Sequence, residues 1–199
     1  MVRVLPFTPG VMRNRTGILS VGGFTLIEMM LVVCVMGIIA AMATFQIGSV
    51  RPGMQGDGAM RVVMAELNGA REMAIAQRRY MEIAFVGTNQ IQVIRRDLPN
   101  GTTTLRDVAF ESGVQYGLIS GIGDTPDAFG NGSPTSFGAA TSIMFSTDGA
   151  LVDAAGAPVN GTVFVTIPSV SMSFRAVTVQ GSTGRVRGYR WTGSQWRRV

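Results

Sequence analysis

From Phe24 to Phe45 the chain carries a single formal charge, Glu28, in an otherwise apolar run of Leu, Ile, Val, Met, Ala, Gly and Phe. As a helix, these 22 residues would extend about 33 Å at a rise of ~1.5 Å per residue. That matches a hydrocarbon core of about 30 Å. Arg3, Arg13 and Arg15 precede the run, which places its N-terminal side in the cytoplasm by the positive-inside rule. A carboxylate five residues into such a helix is costly without a partner, so Glu28 is a candidate functional residue.

Two ordinary readings of this stretch stay open. It could be a signal anchor with Glu28 near the interface. Alternatively it is a secretory h-region cut at Ala41-Met42-Ala43, an A-x-A-like site, which would release a soluble domain beginning at Thr44. Neither accounts for a Gly-Phe junction placed five residues before the lone acid.

The segment Gly23-Phe24-Thr25-Leu26-Ile27-Glu28, followed by about twenty apolar residues, resembles the N-terminal signature of type IV pilins and type II secretion pseudopilins. The resemblance implies cleavage between Gly23 and Phe24 by a prepilin peptidase and N-methylation of Phe24. It also implies that Glu28, as mature residue five, neutralises the first-residue amine of a neighbouring subunit. Residues 1–23 would then be the leader, with Met12 an alternative start.

Cleavage there removes three of the 17 Arg and none of the 12 acids, leaving 14 Arg against 12 acids in 176 residues. The high overall basicity is therefore no argument for nucleic acid by itself; its distribution matters more. The chain has no Lys and no His, so the usual general base and commonest metal ligand are missing. Cys34 is the lone cysteine and lies inside the apolar run. A soluble domain without disulfides must rest on packing. Within the resemblance, the missing C-terminal disulfide loop points to a pseudopilin or minor pilin.

Beyond the apolar run, Gly48, Arg51-Pro52-Gly53 and Gly56-Asp57-Gly58 predict a weakened or broken helix. Met60, Val63, Met64, Leu67, Ala70, Ala74 and Ile75 then recur at three- and four-residue spacing, with Arg61, Glu66, Asn68, Arg71 and Glu72 mostly elsewhere. This is an amphipathic helix that needs a surface to pack on. Residues 80–96 change to a period of two around Gly87-Thr88-Asn89 and read as a hairpin. Further strands are expected at Leu105–Phe110, Ser142–Ser146, Gly161–Ile167, Ser173–Val179 and Arg185–Trp191. Residues 117–141, rich in Gly, Ser, Thr, Pro and Asp, read as a long loop.

The expected organisation is α+β, a long N-terminal membrane-spanning and amphipathic helix packed on a C-terminal antiparallel β-sheet domain. Its parts are a leader (1–23), an assembly helix (24–46), a weak break followed by the amphipathic helix (47–79), and a periplasmic β-rich domain (80–199). Looser motifs are similar to H-type minor pseudopilins and FimT-like minor pilins. They are Ala70-Arg71-Glu72-Met73-Ala74-Ile75-Ala76-Gln77, Phe145-Ser146-Thr147-Asp148-Gly149, and Thr183-Gly184-Arg185-Val186-Arg187. The partners implied are other pseudopilins or pilins, a prepilin peptidase, inner-membrane assembly machinery and membrane lipid.

No catalytic constellation is present: the Ser and Thr residues lack a His partner, and the carboxylates are scattered. No cofactor is expected. Asp148 and Asp153 supply too few oxygens for a hard cation and suit an Asp-Gly hairpin turn better. The C-terminal stretch carries Arg175, Arg185, Arg187, Arg190, Arg197 and Arg198 with no acid. On a strand, Arg185, Arg187, Tyr189 and Trp191 share one face, which suits phosphate contact and base stacking. Arg185, Arg187 and Arg190 are thus candidate DNA contacts. The competing reading, a solvated face with Arg stems over aromatic rings, is favoured. The functional readings are a type II secretion minor pseudopilin, a FimT-like minor pilin binding DNA, or a secreted ligand-binding β-domain.

Overall fold

The computed structural model describes residues 23–199 except 112 and 141, with the side chains of 43–49 also outside the description. The expected leader therefore lies outside the described residues, apart from Gly23. The chain divides between Ala43 and Thr44 into two compact units.

In the first unit, Gly23, Phe24 and Thr25 precede a helix, α1 (Leu26–Gln77). The Glu28 backbone N–H donates to Thr25 Oγ1 at 3.3 Å, so Thr25 caps the first turn. Every residue from Gly23 to Met42 is exposed. Among the described residues, no helix is long and apolar enough to cross a membrane.

No break in the helix is found at 48–58. α1 continues through Pro52, Gly53, Gly56 and Gly58. At Gly56 the helix packs closely on the sheet: a Cβ there would fall 2.3 Å from the Ser173 carbonyl oxygen. This glycine thus marks where helix and sheet backbones meet. Further along, Met60, Val63, Leu67, Ala70 and Ala74 of the expected stripe are buried, joined by Ala59, whereas Met64 is half-buried and Ile75 is exposed. α1 ends where Arg78 takes a left-handed conformation (φ 52°) and the Arg79 N–H bonds the Ala74 carbonyl at 3.2 Å, a Schellman-type stop.

Two antiparallel sheets complete the second unit. In the first, β1 (Met81–Val86) and β2 (Gln90–Arg96) form the expected hairpin, joined by Gly87-Thr88-Asn89 and paired Met81 to Arg95. Next to them lie β3 (Thr102–Ala109), β6 (Ile143–Phe145) and β7 (Leu151–Asp153), in the order β3-β2-β1-β6-β7. The second sheet runs β11-β10-β9-β8-β4. Its strands are β4 (Gln115–Tyr116), β8 (Gly161–Ile167), β9 (Val170–Gln180), β10 (Arg185–Trp191) and β11 (Trp196–Arg198). A short β5 (Thr135–Ser136) also pairs with β8. The two- and three-residue strands β4, β5, β7 and β11 carry too little pattern to be read from sequence.

Alternation along β8 and β9 builds two cores. Val163, Val165, Val177 and Val179 face the cluster that holds the helix stripe. Phe164, Phe174 and Ala176 face the other way, with Tyr189 and the half-buried Ile119, Ile122, Trp191 and Trp196. The loop after β4 supplies Ile119 and Ile122, and Trp196 Nε1 donates to its Gly123 carbonyl at 2.9 Å. The second sheet is therefore covered on both faces, and β8 is buried from Gly161 to Thr166.

Candidate functional site

The N-terminal candidates lie where a helix begins. Gly23 and Phe24 precede it and are exposed, and Glu28 sits in its first turn. Thr25 and Glu28 stand at the N-cap and third helical positions, the spacing of a capping box. A carboxylate there is favoured by the helix dipole. Among the described residues, no ion pair engages it. Glu28 is exposed, the only charged residue between Gly23 and Met42.

The C-terminal arginines do not form one open cationic face. Arg185 is exposed. Arg187 and Tyr189 do share a face, as strand alternation requires, but the loop after β4 covers it. Asp127 from that loop accepts Arg187 Nη1, Tyr189 OH at 2.9 Å and Thr178 Oγ1 at 2.6 Å. Burial would raise the Asp127 carboxyl, yet the bonds from Thr178 and Tyr189 and the charge of Arg187 hold it below the usual range. Arg190, on the opposite face, donates to Asp57 of α1. Two of the three candidate DNA contacts are therefore paired with acids distant in sequence, and Arg187 is half-buried.

Arg175 is the larger correction to the basic tail. It is 2% exposed, in the middle of β9. Its Nε donates to Asp57 Oδ1 at 2.6 Å and its Nη2 to the Gly53 carbonyl at 3.0 Å. Nη1 donates to the Met172 and Phe174 carbonyls at 2.8 and 2.9 Å. Four bonds fix this guanidinium as the tie between α1 and β9, which removes it from any external contact. Its flanks, Phe174 and Ala176, hold the signal that could have shown this: an arginine set into an apolar strand needs buried partners.

Glu66 belongs to the same class. Read as part of the polar side of the helix, it is 3% exposed and accepts Arg106 Nη2 of β3 at 2.7 Å. Among the described residues, its buried Oε2 has no hydrogen-bond partner.

Asp148 and Asp153 are occupied by their own turns. Asp148 accepts the Ser146 hydroxyl and the Ala150 N–H. Asp153 Oδ1 accepts the N–H groups of Ala155 and Ala157, both at 2.9 Å. Among the described residues, no group of three or more His, Cys, Asp or Glu side chains could hold a metal ion.

No family model matches the chain, and no curated protein matches it. Among solved structures it is similar to the minor pseudopilin EpsH from the type 2 secretion system of Vibrio cholerae. The identity is 14% and the TM-score 0.44, over 66% of this chain and 94% of that chain. A likeness at that level says nothing about activity.

Proposed function

We propose that the chain is a non-catalytic structural subunit of a periplasmic filament, of the minor pseudopilin kind, stored in the inner membrane before assembly. One observation carries the reading: the Gly23-Phe24 junction stands directly before a Thr25-capped helix whose first stretch, residues 26–42, is apolar apart from one acid, Glu28, exposed in the first turn. In a filament that acid meets a positive group of a neighbouring subunit, by resemblance the amine of Phe24, and each offsets the desolvation of the other. The partners in this reading are other pseudopilins, the prepilin peptidase and the inner-membrane assembly machinery.

The second reading, a FimT-like minor pilin that binds DNA, draws on the exposed Arg185, Arg197 and Arg198. The pairing of Arg187 and Arg190 weakens it.

Intact-mass measurement and N-terminal sequencing of membrane-extracted protein test the first reading. The expected mature chain begins at a methylated Phe24. A mature N-terminus at Thr44 would instead establish conventional secretion of a soluble β-domain. Glu28→Ala is expected to leave cleavage intact and to reduce incorporation into a sheared filament fraction.

A further inference from the structure

A groove of about 600 Å³ runs between α1 and β9–β10 in the second unit. Val50, Met54 and Met172 line it and are all more than half exposed, with Trp191 beside them. Gly53 lies against Arg175, whose Nη2 donates to its carbonyl at 3.0 Å. Charge marks the groove as much as apolarity does. Arg175 and Arg190 share one carboxylate, Asp57. The wall therefore carries one positive charge in excess, and the Arg190 side chain is 45% exposed.

An occupant that complements this surface is an apolar helix with one acid. This chain contains such a segment: residues 24–42 are exposed throughout and hold Glu28 as their only charge. Val50, Gly53, Met54 and Asp57 of α1 form one wall of the groove. We infer that the groove receives the 24–42 segment of a second copy of this chain, with Glu28 meeting Arg190. This rests on the filament reading. A carboxylate has two oxygens, so contact with Arg190 leaves one for a neighbour's amine.

Three residues of the full-length chain, Met54, Met172 and, as a control, Thr103 on β3, are replaced singly by photoreactive benzoylphenylalanine. The protein is irradiated in host membranes and sheared filaments, and the dimer adducts are mapped by mass spectrometry. Adducts from positions 54 and 172, but not 103, are expected to map to residues 24–42. Arg190→Glu should lower their yield about tenfold, and Glu28→Arg in the same chain should restore it. Adducts mapping elsewhere, or equal yields at all three positions, overturn the assignment. The crosslink map keeps the native Arg190, so it stands even if Arg190→Glu fails to fold. A mature N-terminus at Phe24 with no 24–42 adduct overturns the docking alone, whereas a start at Thr44 overturns both readings.

Discussion

Asp57 on α1 and Arg175 on β9 meet at 2.6 Å, 118 residues apart in sequence, with the arginine side chain 3% exposed. Removing Asp57 leaves Arg175 buried without its counter-charge, and removing Arg175 leaves Asp57 with Arg190 alone and frees the Gly53, Met172 and Phe174 carbonyls of their donor. Arg175→Ala and Asp57→Ala should each destabilise the second unit by about 3–5 kcal/mol. Arg190→Ala breaks only the half-exposed arm of the same carboxylate and should cost about 1 kcal/mol or less. Denaturant unfolding of the three variants checks the order. Equal losses for Arg175→Ala and Arg190→Ala would show that burial is not what distinguishes them.

Gly56 and Gly58 give opposite expectations within one helical turn. Alanine in an exposed helix interior gains about 1 kcal/mol over glycine. Gly58 has nothing within 4 Å of an added Cβ, so Gly58→Ala should stabilise by about that amount. At Gly56 the Cβ would lie 2.3 Å from a backbone carbonyl of β9, which cannot move without its strand. Gly56→Ala should destabilise by about 1–3 kcal/mol despite the better propensity. If both variants gain stability, the close approach of helix and strand is wrong.

These two contacts also mark the boundary of what could be read from sequence. The strands expected at Gly161–Ile167 and Arg185–Trp191 have the observed bounds of β8 and β10, and 3.6 periodicity picks out Met60, Val63, Leu67, Ala70 and Ala74, though it also names the half-buried Met64 and the exposed Ile75. Local pattern suffices there because each residue's environment repeats along its own element. It fails at Gly56, where helix propensity gives way to tertiary contact, and at Arg175, Arg187 and Glu66. Their partners lie 118, 60 and 40 residues away. Counting charges along residues 175–199 misses acids that arrive from α1 and from the loop after β4. At the N-terminus the cap is local, and the Thr25–Glu28 spacing is legible because it is contained in one turn.

Stability should fall on the acid side through a small set of carboxylates. Asp127 is held low despite its burial, by Thr178, Tyr189 and Arg187; Asp97 by Thr103 and Arg95; Asp148 by Ser146 and the Ala150 N–H. A group whose folded pKa is depressed contributes fully above its unfolded value, about 3.9 for Asp. Its contribution is lost as pH falls through the folded pKa. Unfolding midpoints should therefore be insensitive to these groups above about pH 5 and decline below about pH 4. Asp127→Asn should lower stability at neutral pH and flatten the acid-side decline. An unchanged acid-side profile in that variant would remove Asp127 from the set.

The charge pairing also fixes what any DNA binding should look like. Each phosphate neutralised on a duplex contributes about −0.9 to the slope of log affinity against log salt. Arg185, Arg197 and Arg198 are exposed, so the slope should not exceed about −3 in magnitude, and binding should be weak. Arg185→Gln should flatten it by about 1. Arg187→Gln should change it little, because Asp127 already takes that charge. Asp127→Asn should act the other way, freeing the guanidinium and steepening the slope by up to about 1. Duplex-binding titrations over a range of salt concentrations, with the full chain in detergent, distinguish these cases. If Arg187→Gln flattens the slope as much as Arg185→Gln does, the loop after β4 yields to nucleic acid and the DNA reading gains. If no variant shows a salt-dependent term, the exposed arginines are surface for a protein neighbour, as the filament reading expects.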